Sequence, residues 1–135
     1  MAHLGLVTIV VDDHDRAITH YVRDLGFTLV TDEVGDDGGR WVVVSPPGVE
    51  RDRTATHLLL AVADGPDQEA RIGDQTGGRV GFFLHTDDFE MDHTALGQRG
   101  VTFEEEPRDE PYGRVAVFRD LYGNRWDLIE TISSV

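Results

Sequence analysis

Side chains able to do chemistry are few in this 135-residue sequence, and the missing types narrow the field. There is no Cys, which removes disulfides, thiolate nucleophiles and cysteine-ligated metal. All 12 cations are Arg, so Schiff-base chemistry on a lysine is excluded. Serine occurs only at 45, 133 and 134, two of them in the tail, which leaves no serine triad. Among the histidines His85 is the best placed. It ends an apolar segment, and strand alternation puts it on one face with Gly81 and Phe83. Imidazole titrates near neutral pH, so His85 suits a general base or a hydrogen-bond anchor; a rim histidine in water is the competing role. Arg125 and Asp127 share a face of the last strand, where they bind ligand or pair with each other. Thr8 and Phe83 have the same inward parity and either pack the core or line a pocket, and Tyr112, on a turn entering a strand, is a candidate for its edge. Trp126 alternates to the opposite face, beneath a helix, whereas the facing of Trp41 depends on its strand pairing. His3, His14, His20, His57 and His93 show no metal spacing, and His57 has the opposite parity to Leu58 and Leu60.

The charge balance is 12 positive against 26 negative groups, a formal −14. Nucleic acid is therefore excluded as a partner, because phosphate backbones demand clustered cations. The run Glu104-Glu105-Glu106, with Asp109 and Glu110, reads as a solvated edge that discourages strand-edge aggregation. The same field would speed the approach of a cationic ligand. Gly73, Gly77 and Gly78 do not follow a strand and open a helix, so they do not make a phosphate loop. No apolar stretch approaches the ~20 residues of a membrane helix, and no basic segment precedes a hydrophobic block at the N-terminus. A cytoplasmic protein is expected, with no membrane partner.

The elements that must position these residues occur twice. Val11-Asp12-Asp13 opens a helical pattern closed by Gly26, and Thr86-Asp87-Asp88 opens another closed by Gly100. The offsets are 75 positions from Asp12 to Asp87 and 74 from Gly26 to Gly100. Arg40–Val44 falls on Arg114–Phe118 at 74, and the last strands match at 67, from Leu60 to Asp127. Leu4 to Val11 is a nearly continuous apolar run, expected as a strand covered on both faces. Asp12 or Asp13 caps the first helix, whose Ala17, Ile18, Tyr21, Val22 and Leu25 form an apolar stripe. The second helix spans about Phe89 to Arg99. Strands are expected at 27–33, 40–45 and 57–63, then at 101–106, 114–119 and 125–131. The fold class is therefore α+β. One domain over 1–135 comprises module one (1–63), a Gly/Pro-containing linker (64–78) and module two (79–132). The two tandem βαβββ modules are expected to form a cup-shaped mixed β-sheet with helices on the outer face, and the cup to hold a small molecule.

Val-x-Asp-x3-Ala-x3-Tyr-x3-Leu-Gly-Phe (Val11 to Phe27), Arg40-Trp41 through Pro46-Pro47-Gly48, Gly113-Arg114 through Asp120, and Gly123-Asn124 resemble the vicinal oxygen chelate superfamily. That superfamily includes glyoxalase I, extradiol dioxygenases and bleomycin-resistance proteins. The resemblance spans nearly the whole chain. It implies a divalent metal held by His, Glu or Asp on the first and last strands of each module, here at Leu6, Leu60, Gly81 and Asp127. Of these only Asp127 binds a hard cation. The expected function is thus a small-molecule-binding protein with the family's metal site lost and no cofactor. It would act as a homodimer, its ligand in the cup or at the dimer seam and a cation among the candidates. The alternatives are a divalent-metal lyase or dioxygenase of the glyoxalase I type, and a metal-free enzyme using His85 as base. A regulatory subunit with a decayed site is a third.

Overall fold

The computed structural model describes residues 1–132; Ser133 and Ser134, read as tail, lie outside them. The chain forms two compact units, Met1–Ile72 and the segment from Gly73 onward, which divide inside the stretch read as linker.

In the first unit, strand β1 (Leu6–Val11) is followed by helix α1 (His14–Ile18). Asp13 caps α1 by accepting from the Arg16 N–H at 2.8 Å, which satisfies a free donor of the first turn. The helix does not run on to Gly26 as an α-helix. Thr19–Asp24 winds as a π-helical turn, with the Leu25 N–H donating to the His20 carbonyl. Strands β2 (Thr28–Val34), β3 (Arg40–Ser45) and β4 (His57–Val62) complete a mixed sheet of order β1-β4-β3-β2, in which β1 and β4 are parallel. Ile9, Val11, Leu58, Leu60, Val42 and Val44 are buried on one face, alongside Ala17, Tyr21 and Leu25 in the core. Contrary to the expectation for β1, the other face is covered only in part, with Val10 half-buried on it. Leu6 and Thr8, on the same side as Val10, are exposed. A short helix, α2 (Pro66–Glu69), starts with Pro in its first turn, where the missing N–H costs nothing.

The second unit repeats the plan. β5 (Val80–His85) leads to α3 (Phe89–Gln98), capped by Asp88 and by Glu130, whose carboxylate accepts the Phe89 N–H at 2.6 Å. Strands β6 (Thr102–Phe103), β7 (Arg108–Glu110), β8 (Gly113–Arg119) and β9 (Arg125–Thr131) follow. The sheet order is β5-β9-β8-β6, with β7 also on β8 and β5 parallel to β9. The strand expected at 101–106 is cut to two residues. Beyond it the Glu105 side chain, not the main chain, takes the Val117 N–H at 3.0 Å, and the chain re-enters the sheet as β7. On the helix face the rings of Phe89, His93, Phe103, Phe118, Trp126 and Phe82 touch in sequence, with centroids 4.2–5.9 Å apart. Trp126 and His93 therefore have packing roles. The architecture is α+β, two units each built on a mixed sheet, four strands in the first and five in the second, where the strand expected after the helix is broken into β6 and β7. No helix among the described residues is long and apolar enough to cross a membrane.

Candidate functional site

Side chains of residues paired across a sheet point to the same side, so the register fixes the faces. In the second unit Phe83 pairs with Asp127, His85 with Ile129, Val117 with Asp127, and Arg119 with Arg125. Phe83, His85, Arg125 and Asp127 thus lie together on the face away from Trp126 and Phe118. Arg108, which pairs with Val115, lies there too. Phe83 is 57% exposed, while Asp127 is only 7% exposed. The Asp127 Oδ1 is fully buried with no hydrogen-bond donor among the described residues. Burial pushes the Asp127 carboxyl above its ordinary value, the Glu105 charge adds to this, and Arg108, Arg125 and His85 oppose it.

Arg125 does not serve as the partner of Asp127, the pairing weighed from sequence. Its Nε and Nη2 donate to Glu104 at 2.9 and 3.0 Å and its Nη1 to the Gly78 carbonyl at 3.0 Å. The fork geometry of a guanidinium favours a carboxylate that can meet it with two oxygens, as Glu104 does. Glu104 also pairs with Arg119 Nε at 2.8 Å. Beside it Arg108 bridges Glu105 at 2.8 Å and Glu110 at 2.5 Å. The acidic run is therefore ion-paired on this face at Glu104, Glu105 and Glu110, while Glu106 and Asp109 are exposed, as a solvated edge would be. Of these carboxylates Glu105 acts on Asp127 through its charge.

The other proposed positions fall elsewhere. Tyr112 is at the tip of the β7–β8 hairpin, its side chain exposed and its carbonyl accepting the Ile132 N–H. Thr8 belongs to the first unit, paired with Leu59 on the open face of that sheet. Trp41, whose facing sequence left open, shares the Val43 side and so the Leu59 face, and is 51% exposed. His57 has the opposite parity to Leu58 and Leu60. That parity is what puts it beside Leu6 on the open face, with Nε2 buried and no hydrogen-bond partner in the described residues.

Among the described residues the positions that the resemblance implies do not offer a divalent metal an adequate donor set. Leu6 pairs with His57 and Ile9 with Leu60, so Leu60 lies on the covered face, 0% exposed, and Leu59 occupies the open-face position. The substitution of one leucine for the other leaves that station hydrocarbon. Gly81 offers no side chain and sits where the β5–β9 register shifts. Among the described residues no group of three or more His, Asp or Glu side chains is placed to hold a metal ion. Asp127 alone does not fit the group that the resemblance implies.

Residues 3–128 match the family model of the Glyoxalase/Bleomycin resistance protein/Dioxygenase superfamily. An uncharacterized protein of Shewanella frigidimarina (strain NCIMB 400) is 47% identical over 125 residues, covering 92% of this chain and 90% of that one. The crystal structure of UcmS2 is similar at 32% identity and a TM-score of 0.79, covering 96% of this chain and 98% of the other. That of TnmS3, an antibiotic binding protein from Streptomyces sp. CB03234, is similar at 33% identity and a TM-score of 0.75, covering 97% of each chain.

Proposed function

The chain belongs to the Glyoxalase/Bleomycin resistance protein/Dioxygenase superfamily, and from that premise we propose that it binds a small organic molecule without a metal, on the face of the second sheet that carries Asp127 and Phe83. The observation that carries this reading is the buried, unpartnered Asp127 Oδ1 next to the exposed ring of Phe83. A buried carboxylate oxygen without a donor costs free energy that a ligand's ammonium or hydroxyl group can recover. An exposed aromatic ring beside it supplies a stacking surface, and cation–π attraction if the ligand is cationic. The formal charge of −14 favours the approach of such a cation. Similarity to an antibiotic binding protein supports a drug-sized ligand. The reading extends to a cytoplasmic homodimer that does not bind nucleic acid; sedimentation velocity tests the dimer.

A second reading makes the site catalytic, with His85 as general base. Its support is the placement of His85 on the Phe83 face, close enough for its charge to act on Asp127. Loss of turnover in His85→Ala with binding retained would favour it.

The test of the leading reading is thermal stabilisation by a panel of cationic glycopeptides and aromatic metabolites. A ligand at ~100 times its Kd stabilises by about 2.7 kcal/mol, a clear melting shift. No shift across the panel, an equal shift in Asp127→Asn, or stoichiometric bound metal in the purified protein would each overturn it.

A further inference from the structure

A cavity of about 400 Å³ lies in the second unit, between the 73–81 segment and the 120–124 turn joining β8 to β9. Asp127, Phe83 and His85 do not line it. Its charged lining is Arg79, Arg119 and Arg125 against Glu104 and Asp74, with Gly78 and Asn124 in the wall. Three guanidinium groups meeting at one cavity is an unexpected concentration of positive charge in a chain of formal charge −14. Two of them are already oriented. Glu104 holds Arg125 by two hydrogen bonds and Arg119 by one ion pair, which leaves further N–H groups on both. The third, Arg79, is exposed, and its guanidinium has no hydrogen-bond or ion-pair partner among the described residues.

The walls are rigid. Both Asp120 oxygens are committed to the turn, one accepting the Tyr122 and Asn124 N–H groups and the other the Asn124 side chain, at 2.8–2.9 Å. Asp120 and Asn124 are both buried. Across the cavity, Gly73 sits so close to the turn that a Cβ would lie 1.9 Å from the Tyr122 carbonyl oxygen. Thr76 ties the segment to itself through the Arg79 carbonyl at 2.6 Å. A site whose backbone and two of whose donors, Arg119 and Arg125, are held beforehand spends less on ordering when ligand arrives.

We propose that this cavity binds a small molecule carrying a multivalent oxyanion, a phosphoryl group or a cluster of carboxylates. Planar guanidinium forks match such groups with paired hydrogen bonds, and the volume suits a ligand of a few to a few tens of atoms. Of the glycines that fail the phosphate-loop pattern, Gly73 and Gly78 help form a wall here, without a helix N-terminus. The site stands independently of the reading built on Asp127.

The experiment titrates the full-length protein with inorganic phosphate and, separately, with citrate, by calorimetry and by amide NMR shifts. Saturable binding with a Kd of about 1 mM or tighter is expected for at least one probe, with shifts centred on Gly78, Arg79, Gly123 and Asn124. Phosphate alone assigns the phosphoryl class, and citrate alone the carboxylate class. Arg79→Gln, which breaks no internal contact and keeps the wild-type melting temperature, weakens binding by about tenfold or more. Arg51→Gln, in the other unit, leaves it unchanged. Absence of saturable binding by both probes, or undiminished binding by Arg79→Gln, overturns the proposal.

Discussion

Phe83 and Asp127 are register partners across the parallel strands β5 and β9, one an exposed ring and the other a buried carboxylate. Their adjacency separates stability from binding. With 57% of its surface in water, Phe83 contributes little to the fold. Phe83→Ala should change unfolding free energy by less than about 0.5 kcal/mol. It should weaken a panel compound that stabilises the wild type by about 1–2 kcal/mol. Urea melts and calorimetry on the same two proteins check both halves.

Asp127 gives the opposite combination. Its carboxyl is raised above the ordinary 3.8 chiefly by burial. The folded state therefore holds its proton more tightly than the unfolded chain, and stability falls as pH rises from about that value through the folded value. Above this window the cost of the buried charge is fully present. Asp127→Asn should accordingly melt higher than wild type at pH 7 while binding ligand less well, and the stability gain should shrink as pH drops toward 4. Melting curves across pH 3 to 8 decide the sign.

Glu104 works the other way round. The hydrogen bond from Arg125, with the charges of Arg125 and Arg119, holds its carboxyl below the ordinary 4.5 against the opposing effect of burial. Its contribution is present above that value and is lost as pH falls through the folded one. Glu104→Gln should be less stable than wild type at pH 7, and the gap should close in acid. Removing this charge also frees two guanidiniums at the cavity, so phosphate should bind the variant more tightly; a titration at pH 7 reads this directly.

The double βαβββ plan was legible because Asp, Gly and the apolar strands recur at nearly constant offsets, each with its own local cause. Faces were legible where apolar and polar residues alternate, as on β9, where Trp126 and Asp127 fall on opposite sides as expected. They were not legible on β4. Leu58-Leu59-Leu60 has no period, so only pairing with β1 shows that Leu59, not Leu60, shares a side with Leu6. That slip of one position hid His57, which is on the open face for the same reason. The π-helical turn at Thr19–Asp24 leaves no compositional mark. The ion pairing of Glu104 was hidden too, because its partner Arg125 lies 21 positions away in sequence.

The two leucines make the face assignment measurable. Leu60 is fully buried in the core, so Leu60→Ala should cost about 2–5 kcal/mol through lost contacts and a residual cavity. Leu59, half-buried on the open face, should cost about 1 kcal/mol when truncated, in line with the smaller apolar area it removes from water. Equal losses would place both residues in the same environment and contradict the register.

Gly73, in the wall of the arginine-lined cavity, and Gly77, in the segment that follows, separate steric blockage from backbone strain. Both have positive φ, +75° and +67°, so an alanine at either adopts a disfavoured conformation. At Gly77 nothing lies within 4 Å of the added carbon, and Gly77→Ala should cost only the conformational penalty, about 1–2 kcal/mol. At Gly73 the added carbon would meet the Tyr122 carbonyl oxygen at 1.9 Å, and that carbonyl belongs to the turn that Asp120 fastens. The turn cannot yield without breaking those hydrogen bonds, so Gly73→Ala should cost more than about 3 kcal/mol. Where it still folds, the displaced segment carries Arg79 with it, and phosphate binding should fall in step. Chemical denaturation of both variants, followed by phosphate titration of Gly73→Ala, tests the wall and the cavity together.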